Sequence, residues 1–65
     1  MIILEGSQLE SLNAYIARLQ EAHGGAVDYV RLYGLGSSAV YAKIEMFKGE
    51  TYHLRIETDG KISEV

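Results

Sequence analysis

The sequence contains no cysteine, no proline and no tryptophan in its 65 residues. Without cysteine there is no disulfide, no thiolate zinc site and no cysteine nucleophile. An average chain of this length has about three prolines, so the turns here must be made by other residues. A chain this short buries only about 60% of the surface that its unfolded form exposes. The fold must therefore rely on a compact core, on tight turns or on a partner.

The sequence also lacks a long apolar run and an excess of positive charge. No apolar stretch approaches the roughly 18 residues that a membrane span needs, and the apolar start from Met1 to Leu4 stops at Glu5, so no signal-peptide core is predicted. The net charge of −3 opposes general nucleic-acid binding, which depends on neutralising phosphates. We therefore predict one folded domain over residues 1–65, located in the cytoplasm and not at a membrane.

Seven glycines divide the sequence into segments, and the first long segment is predicted to be a helix. Leucine and isoleucine recur there at steps of three and four residues, which is the apolar stripe of an amphipathic helix. Ser7 and Glu10 have the spacing of a capping box. Gly24 or Gly25 can adopt the left-handed conformation that ends a helix. Together these signals predict a helix over about residues 8–23.

The remaining segments alternate in polarity and are predicted to be strands. Three strands are expected at residues 27–33, 39–47 and 51–58, with a short opening strand at 2–5. Residues 62–65 form a closing strand or tail after an Asp-Gly turn. The order β-α-β-β-β predicts a two-layer α+β fold, with one helix packed on one face of a mainly antiparallel sheet. An opening strand beside the strand that follows the helix would be parallel to it.

One helix can cover only one face of such a sheet, so the side chains of opposite parity form a second face, which we call the outer sheet face. These residues are Tyr29, Arg31, Tyr33, Tyr41, Lys43, Glu45, Phe47, His53, Arg55 and Glu57. They include four aromatic side chains and carry a net charge of +1, which leaves −4 on the rest of the chain. The sequence thus predicts a bipolar molecule with an aromatic, mildly basic face.

Two interpretations of the outer sheet face remain open. Aromatic residues suit strands, and the charged residues can form solvated cross-strand pairs. Alternatively, contiguous exposed apolar area marks an interface. The candidate partner-binding residues on this face are Tyr29, Arg31, Tyr33, Tyr41, Lys43, Phe47 and Arg55.

The solvent side of the predicted helix is a second candidate surface. Here Glu10 and Glu21 flank two alanines and Arg18, and we call this surface the helix ridge. Alanine is the best helix former, so the alanines also have a purely structural explanation. The acidic ends of the ridge make Glu10 and Glu21 candidate partner-binding residues.

The sequence gives no catalytic, cofactor or metal signature. The segment Gly34–Gly36 lacks the third glycine of a dinucleotide-binding loop and leads into a strand instead of a helix. His23 and His53 are the only histidines, and neither belongs to a cluster with metal-ligand spacing. No nucleophile elbow is present. We therefore predict no enzyme activity, no cofactor and no metal.

The sequence favours a small non-enzymatic interaction module that inhibits or adapts a protein partner by occupying its surface. One such protein is a phage or mobile-element inhibitor of the anti-CRISPR type, whose acidic face competes for a nucleic-acid groove. The alternative is a single-stranded nucleic-acid binder, with bases stacked on the tyrosines of the outer sheet face, although the overall charge opposes it. A homodimer through the outer sheet face or an edge strand is a further arrangement.

Overall fold

A computed structural model describes residues 4–34 and 38–65 of the chain, and within these ranges a single helix precedes four strands. The elements are α1 (Gly6–His23), β1 (Val27–Tyr33), β2 (Val40–Met46), β3 (Thr51–Ile56) and β4 (Ile62–Glu64). The strands form one antiparallel sheet in the order β1-β2-β3-β4, so each strand pairs with the next one in the sequence. The predicted α+β architecture, with one helix and an antiparallel sheet, is confirmed.

The two ends of α1 differ in how well the sequence predicts them. The helix begins at Gly6, and the capping box expected at Ser7 is wrong, because Glu5 precedes the helix and no side chain caps it. Gly6 has a φ of +61°, a conformation that glycine adopts without steric cost. The chain therefore enters the helix one residue before Ser7. At the other end Gly24 is left-handed with a φ of +59°, as predicted.

The first and last strands of the prediction have different outcomes. In the predicted opening strand, Leu4 and Glu5 are not in a strand, whereas Ile2 and Ile3 lie outside the described residues. The closing strand exists as β4 and pairs with β3. The connection predicted between the strands at 27–33 and 39–47 includes residues 35–37, which also lie outside the described residues.

A β-bulge near the start of β1 keeps the two faces of the sheet distinct. Val27 pairs with Met46 and Tyr29 pairs with Glu45, so Asp28 is the extra residue on β1. In a regular strand with no bulge, Val27 and Tyr29 are two residues apart and would lie on the same face. With it, Val27 packs against the core while Tyr29 is exposed.

The core lies between α1 and the two central strands. Its buried side chains are Leu12 and Leu19 of α1, Ala42, Ile44 and Met46 of β2, and Leu54 and Ile56 of β3. No polar or charged residue in the described ranges of the chain is buried. Stability therefore depends on apolar packing of α1 against one face of β2 and β3.

The turn between β3 and β4 lies directly against α1 at Gly60. This glycine is buried and has a φ of +92°. A Cβ atom at this position would lie 2.7 Å from Ser11 Oγ and 2.9 Å from the carbonyl oxygen of Ser7. Only a residue without a side chain allows the turn and the helix to approach so closely.

Replacing Gly60 by alanine should therefore destabilise the protein more than replacing a glycine of similar φ in open space. Gly49 provides this control, since its φ is +100° and no heavy atom lies within 4 Å of a Cβ built there. We expect Gly49→Ala to lower the free energy of unfolding by about 1–2 kcal/mol through backbone strain. Gly60→Ala should cost a further 1–3 kcal/mol or so from the steric overlap.

Urea unfolding followed by circular dichroism measures both losses. Equal losses for the two variants would show that the turn and α1 do not approach each other as described.

Candidate interaction surfaces

The outer sheet face consists of side chains arranged in rows that cross the strands. The rows are Tyr33–Tyr41–Arg55, Arg31–Lys43–His53 and Tyr29–Glu45–Thr51. Six of the seven sheet residues singled out from the sequence belong to these rows, and Phe47 follows directly after β2. The register therefore brings these six residues together on one face, opposite α1, with Phe47 just beyond the end of β2.

The row at one end of the sheet is held together by side-chain contacts. The rings of Tyr33 and Tyr41 stack with centroids 5.6 Å apart and planes inclined by 19°. The Arg55 guanidinium lies 5.9 Å from the Tyr41 ring centroid, and its Nη1 donates a hydrogen bond of 3.4 Å to the Tyr41 hydroxyl. Arg55 Nε in turn donates to a carboxylate oxygen of Glu57 at 2.8 Å. These contacts hold the four side chains in place, so less rotamer entropy is lost when a partner binds.

The opposite end of the face carries the most exposed aromatic residues. Phe47 is 69% exposed and Tyr29 is 42% exposed. The backbone N–H of Phe47 donates to the carbonyl oxygen of Ala26 at 3.2 Å, which places Phe47 beside the start of β1. The two aromatic positions therefore lie at the same end of the sheet, remote from Tyr33.

The ion pairs of this face run along the strands. Lys43 Nζ lies 3.7 Å from a carboxylate oxygen of Glu45, two residues further along β2. Arg55 and Glu57 have the same two-residue spacing and approach to 2.8 Å. Pairing along the chain differs from the cross-strand pairing that the sequence suggested. The residues opposite Lys43 on the neighbouring strands are Arg31 and His53, which have no carboxylate to pair with it.

Arg31, Lys43 and His53 form a row across three strands, which we call the cationic row after the charges of Arg31 and Lys43. Arg31 lies opposite Lys43, and Lys43 lies opposite His53 on the next strand. Like charges placed directly opposite each other in a sheet repel. No ion pair among the described residues involves Arg31, which is exposed.

The helix ridge lies on α1, which packs on the other side of the sheet. Glu10, Ala14, Ala17, Arg18 and Glu21 are all exposed. An open groove of about 280 Å³ runs beside the ridge, between α1 and the start of β4. The residues lining it are Ser11, Ala14, Tyr15, Arg18, Gly60 and Ile62.

Tyr15 connects α1 to β4 at the edge of this groove, a contact that the sequence pattern does not predict. Its hydroxyl donates a hydrogen bond of 3.2 Å to a carboxylate oxygen of Glu64. The Arg18 guanidinium lies 5.9 Å from the centroid of the Tyr15 ring. No signal in the sequence relates Tyr15 to Glu64, since the two are separated by 49 positions.

A second cluster that the sequence did not reveal joins the end of α1 to the β2–β3 turn. His23 Nε2 lies 2.8 Å from the Tyr52 hydroxyl, and His23 Nδ1 lies 3.3 Å from a carboxylate oxygen of Glu50. Lys48 Nζ donates to the backbone carbonyl of His23 at 3.4 Å. The His23 and Glu50 side chains are 36% and 41% exposed, so this arrangement anchors the helix terminus at the surface.

Neither a metal centre nor a membrane-crossing helix is found in residues 4–34 and 38–65. No group of three or more His, Asp or Glu side chains in these ranges is placed to hold a metal ion. Within the same ranges, no helix has the length and apolar character that crossing a bilayer requires.

Comparisons with known proteins add no functional assignment. No protein-family model matches the chain, and no curated protein or solved structure is significantly similar to it. Inference about function therefore starts from the surfaces of the molecule.

The Tyr15–Glu64 contact leads to a prediction about alkaline pH. Burial raises the pKa of Tyr15, and the hydrogen bond to Glu64 and the negative charge of that carboxylate raise it further. Because the pKa is raised in the folded state, this contribution to stability is fully present below the pKa of the unfolded chain, about 10. It is lost as the pH rises through the higher folded pKa. Stability should therefore fall above about pH 10.

Glu64→Gln removes the charge beside Tyr15, so the pKa of Tyr15 should fall toward its ordinary value. The measurement is an ultraviolet titration of wild type and variant, with Tyr15→Phe identifying the step that belongs to this residue. Glu21→Gln is the matched control, since Glu21 is an exposed carboxylate on the same helix. An identical Tyr15 titration in wild type and Glu64→Gln would contradict the assigned contact.

Proposed function

We propose that the protein is a non-enzymatic interaction module that binds a protein partner through the outer sheet face and inhibits or adapts that partner by occupying its surface. The observation that supports this is the stacked Tyr33–Tyr41–Arg55 row on the same face as exposed Tyr29, with exposed Phe47 beside the start of β1. Tyrosine, phenylalanine and arginine are enriched in protein interfaces, and tyrosine and arginine supply much of the binding energy there.

The charges on the face favour a protein over a nucleic acid. Lys43 and Arg55 each have a carboxylate within an ion-pair distance, at 3.7 Å and 2.8 Å. A phosphate backbone that passes both cations also passes Glu45 and Glu57, and its regularly spaced charges are repelled by both carboxylates. The net charge of the whole chain, −3, adds to this repulsion at long range. A protein partner does not require the face to be strongly basic.

The size of the face fits an ordinary interface. A standard protein interface takes about 800 Å² from each partner. This amount is roughly a fifth of the 4217 Å² accessible surface of the molecule. One uncovered face of a two-layer fold can supply a surface of this size.

The proposal predicts that polar substitution at the exposed aromatic positions removes partner binding. We expect the double variant Tyr29→Ser, Phe47→Ser to retain its partner at least about tenfold less well, because interface aromatics contribute about 2 kcal/mol or more each. The measurement is affinity capture on the immobilised protein from extracts of the source organism, with quantitative mass spectrometry. Leu9→Ser is the matched control, since Leu9 on α1 is 40% exposed, close to the 42% of Tyr29.

Capture that is undiminished in the double variant, or diminished equally in Leu9→Ser, would contradict binding through the outer sheet face. Circular dichroism of all three proteins separates lost binding from lost folding.

The helix ridge is the competing location for the same activity. An inhibitor of the anti-CRISPR type that competes for a nucleic-acid groove would use exposed Glu10 and Glu21. Under our proposal, the double reversal Glu10→Lys, Glu21→Lys leaves capture unchanged. Loss of capture in this variant, with full capture by Tyr29→Ser, Phe47→Ser, assigns the partner to the ridge instead.

The second candidate function is single-stranded nucleic-acid binding, which the Tyr33–Tyr41 stack beside the cationic row favours. Bases stack on exposed aromatic rings without strong sequence preference. Fluorescence anisotropy with single-stranded RNA and DNA at low salt tests this second function, and no binding at tens of micromolar excludes it.

Our proposal of an interaction module includes a cytoplasmic location, with which the absence of cysteine is compatible.

A further inference from the structure

We propose that the cationic row binds carboxylate side chains, so that the partner segment seated on the outer sheet face is acidic. This inference rests on the proposed function and names the chemistry of its partner. The segment that fits is an extended stretch of protein in which acidic residues alternate with apolar or aromatic ones.

The geometry of the row suits a carboxylate placed between two cations. Arg31, Lys43 and His53 lie directly opposite one another on three adjacent strands. Neighbouring strands are about 4.8 Å apart, so the row spans about 10 Å. Placing Arg31 opposite Lys43 costs stability through repulsion. A carboxylate between the two cations relieves that repulsion and accepts hydrogen bonds from both.

Carboxylates of the chain itself are scarce around the row. Glu57 is engaged by Arg55 at 2.8 Å. Glu45 approaches Lys43 only to 3.7 Å, and both side chains are about one-third exposed, at 33% and 35%. Among the described residues no carboxylate pairs with Arg31 or His53. The row therefore keeps donors available to an incoming acid, and the arginine fork can bind a carboxylate through two parallel hydrogen bonds.

Aromatic rings flank the row on both sides. The stacked pair Tyr33 and Tyr41 lies on one side, and Tyr29 lies on the other. Residues two apart in an extended segment are about 7 Å apart and point the same way. Two carboxylates at this spacing can both face the row, while the residues between them point away from the sheet.

The surroundings of the row favour a protein segment over a nucleic acid. A nucleic acid carries a charge at every nucleotide and extends beyond the row. Beyond the row it meets Glu45, Glu57 and the residues outside the outer sheet face, which carry a net charge of −4. A segment with two or three carboxylates brings fewer negative charges to the face and is repelled less.

The test uses labelled peptides and fluorescence anisotropy at low salt. The probes are a peptide of alternating glutamate and tyrosine, an equally long peptide of alternating glutamine and tyrosine, and oligothymidylate. We expect the acidic peptide to bind at least about tenfold more tightly than either of the others, because close charge pairs dominate its binding. Added salt should weaken its binding.

Two double variants with the same loss of charge isolate the row. Arg31→Gln, Lys43→Gln should weaken acidic-peptide binding at least about tenfold. Arg18→Gln, Lys61→Gln removes two exposed cations outside the outer sheet face and should change it by about twofold or less, the effect of long-range charge alone. Folding of the first variant should be unharmed, since the substitution removes a repulsive pair.

Each remaining outcome overturns the inference. Equal binding of the acidic and neutral peptides removes the role of the carboxylates, and equal losses in the two double variants remove the role of the row. Tightest binding of oligothymidylate assigns the row to nucleic acid. The inference is also rejected if the acidic peptide does not bind at millimolar protein concentration.

Affinity capture separates this inference from the proposed function. Capture lost in Tyr29→Ser, Phe47→Ser but retained in Arg31→Gln, Lys43→Gln leaves the proposed function standing and shows that the partner is not acidic. Capture retained in Tyr29→Ser, Phe47→Ser contradicts the proposed function, regardless of the result of the peptide-binding experiment.

Discussion

The packing of α1 across one face of the sheet is the constraint that governs the architecture of the molecule. Ile44, Leu54 and Ile56 are fully buried in one cluster with Leu12 and Leu19 of the helix. A helix covers one side of a sheet, and residues 4–34 and 38–65 contain a single helix. The strands of the sheet therefore have two different faces, of which one forms the core and the other meets the surroundings.

Local features at the ends of the elements maintain this division. The bulge at Asp28 returns the start of β1 to the inner side, where Val27 packs against the core. Gly60 allows the β3–β4 turn to touch the first half of α1 at Ser11. At the other end of the helix, His23 is bound by residues of the β2–β3 turn and β3. The helix is thus attached to the sheet at two distant points as well as through the core.

The outer sheet face owes its character to how its charges are paired. The acidic partners of Lys43 and Arg55 follow them along the chain, while the strand register places Arg31 directly opposite Lys43. This arrangement contributes little to stability, since half-exposed ion pairs are worth at most about 1 kcal/mol and opposed cations repel. Folding therefore explains little of the composition of this face, and partner binding is our proposed explanation for it.

Local sequence pattern was enough to predict the helix, the three long strands and the face of most residues on those strands. Alternation and glycine placement are properties of neighbouring residues. They predict the bounds of β1, the end of α1 at Gly24 and the grouping of Tyr33, Tyr41 and Arg55. The start of α1 was less predictable, because the chain turns at Gly6 before the capping signal is reached.

Contacts between distant groups, by contrast, depend on how the whole chain packs. Tyr52 contacts His23 across 29 positions, and Tyr15 contacts Glu64 across 49. The direction of the ion pairs and the opposition of Arg31 to Lys43 depend on the strand register. The packing of the core sets the strand register and the position of the helix. A shift of one residue in the register would move every side chain of that strand to the opposite face of the sheet. For this reason local pattern identified the members of the candidate surface, whereas packing fixed how they are arranged.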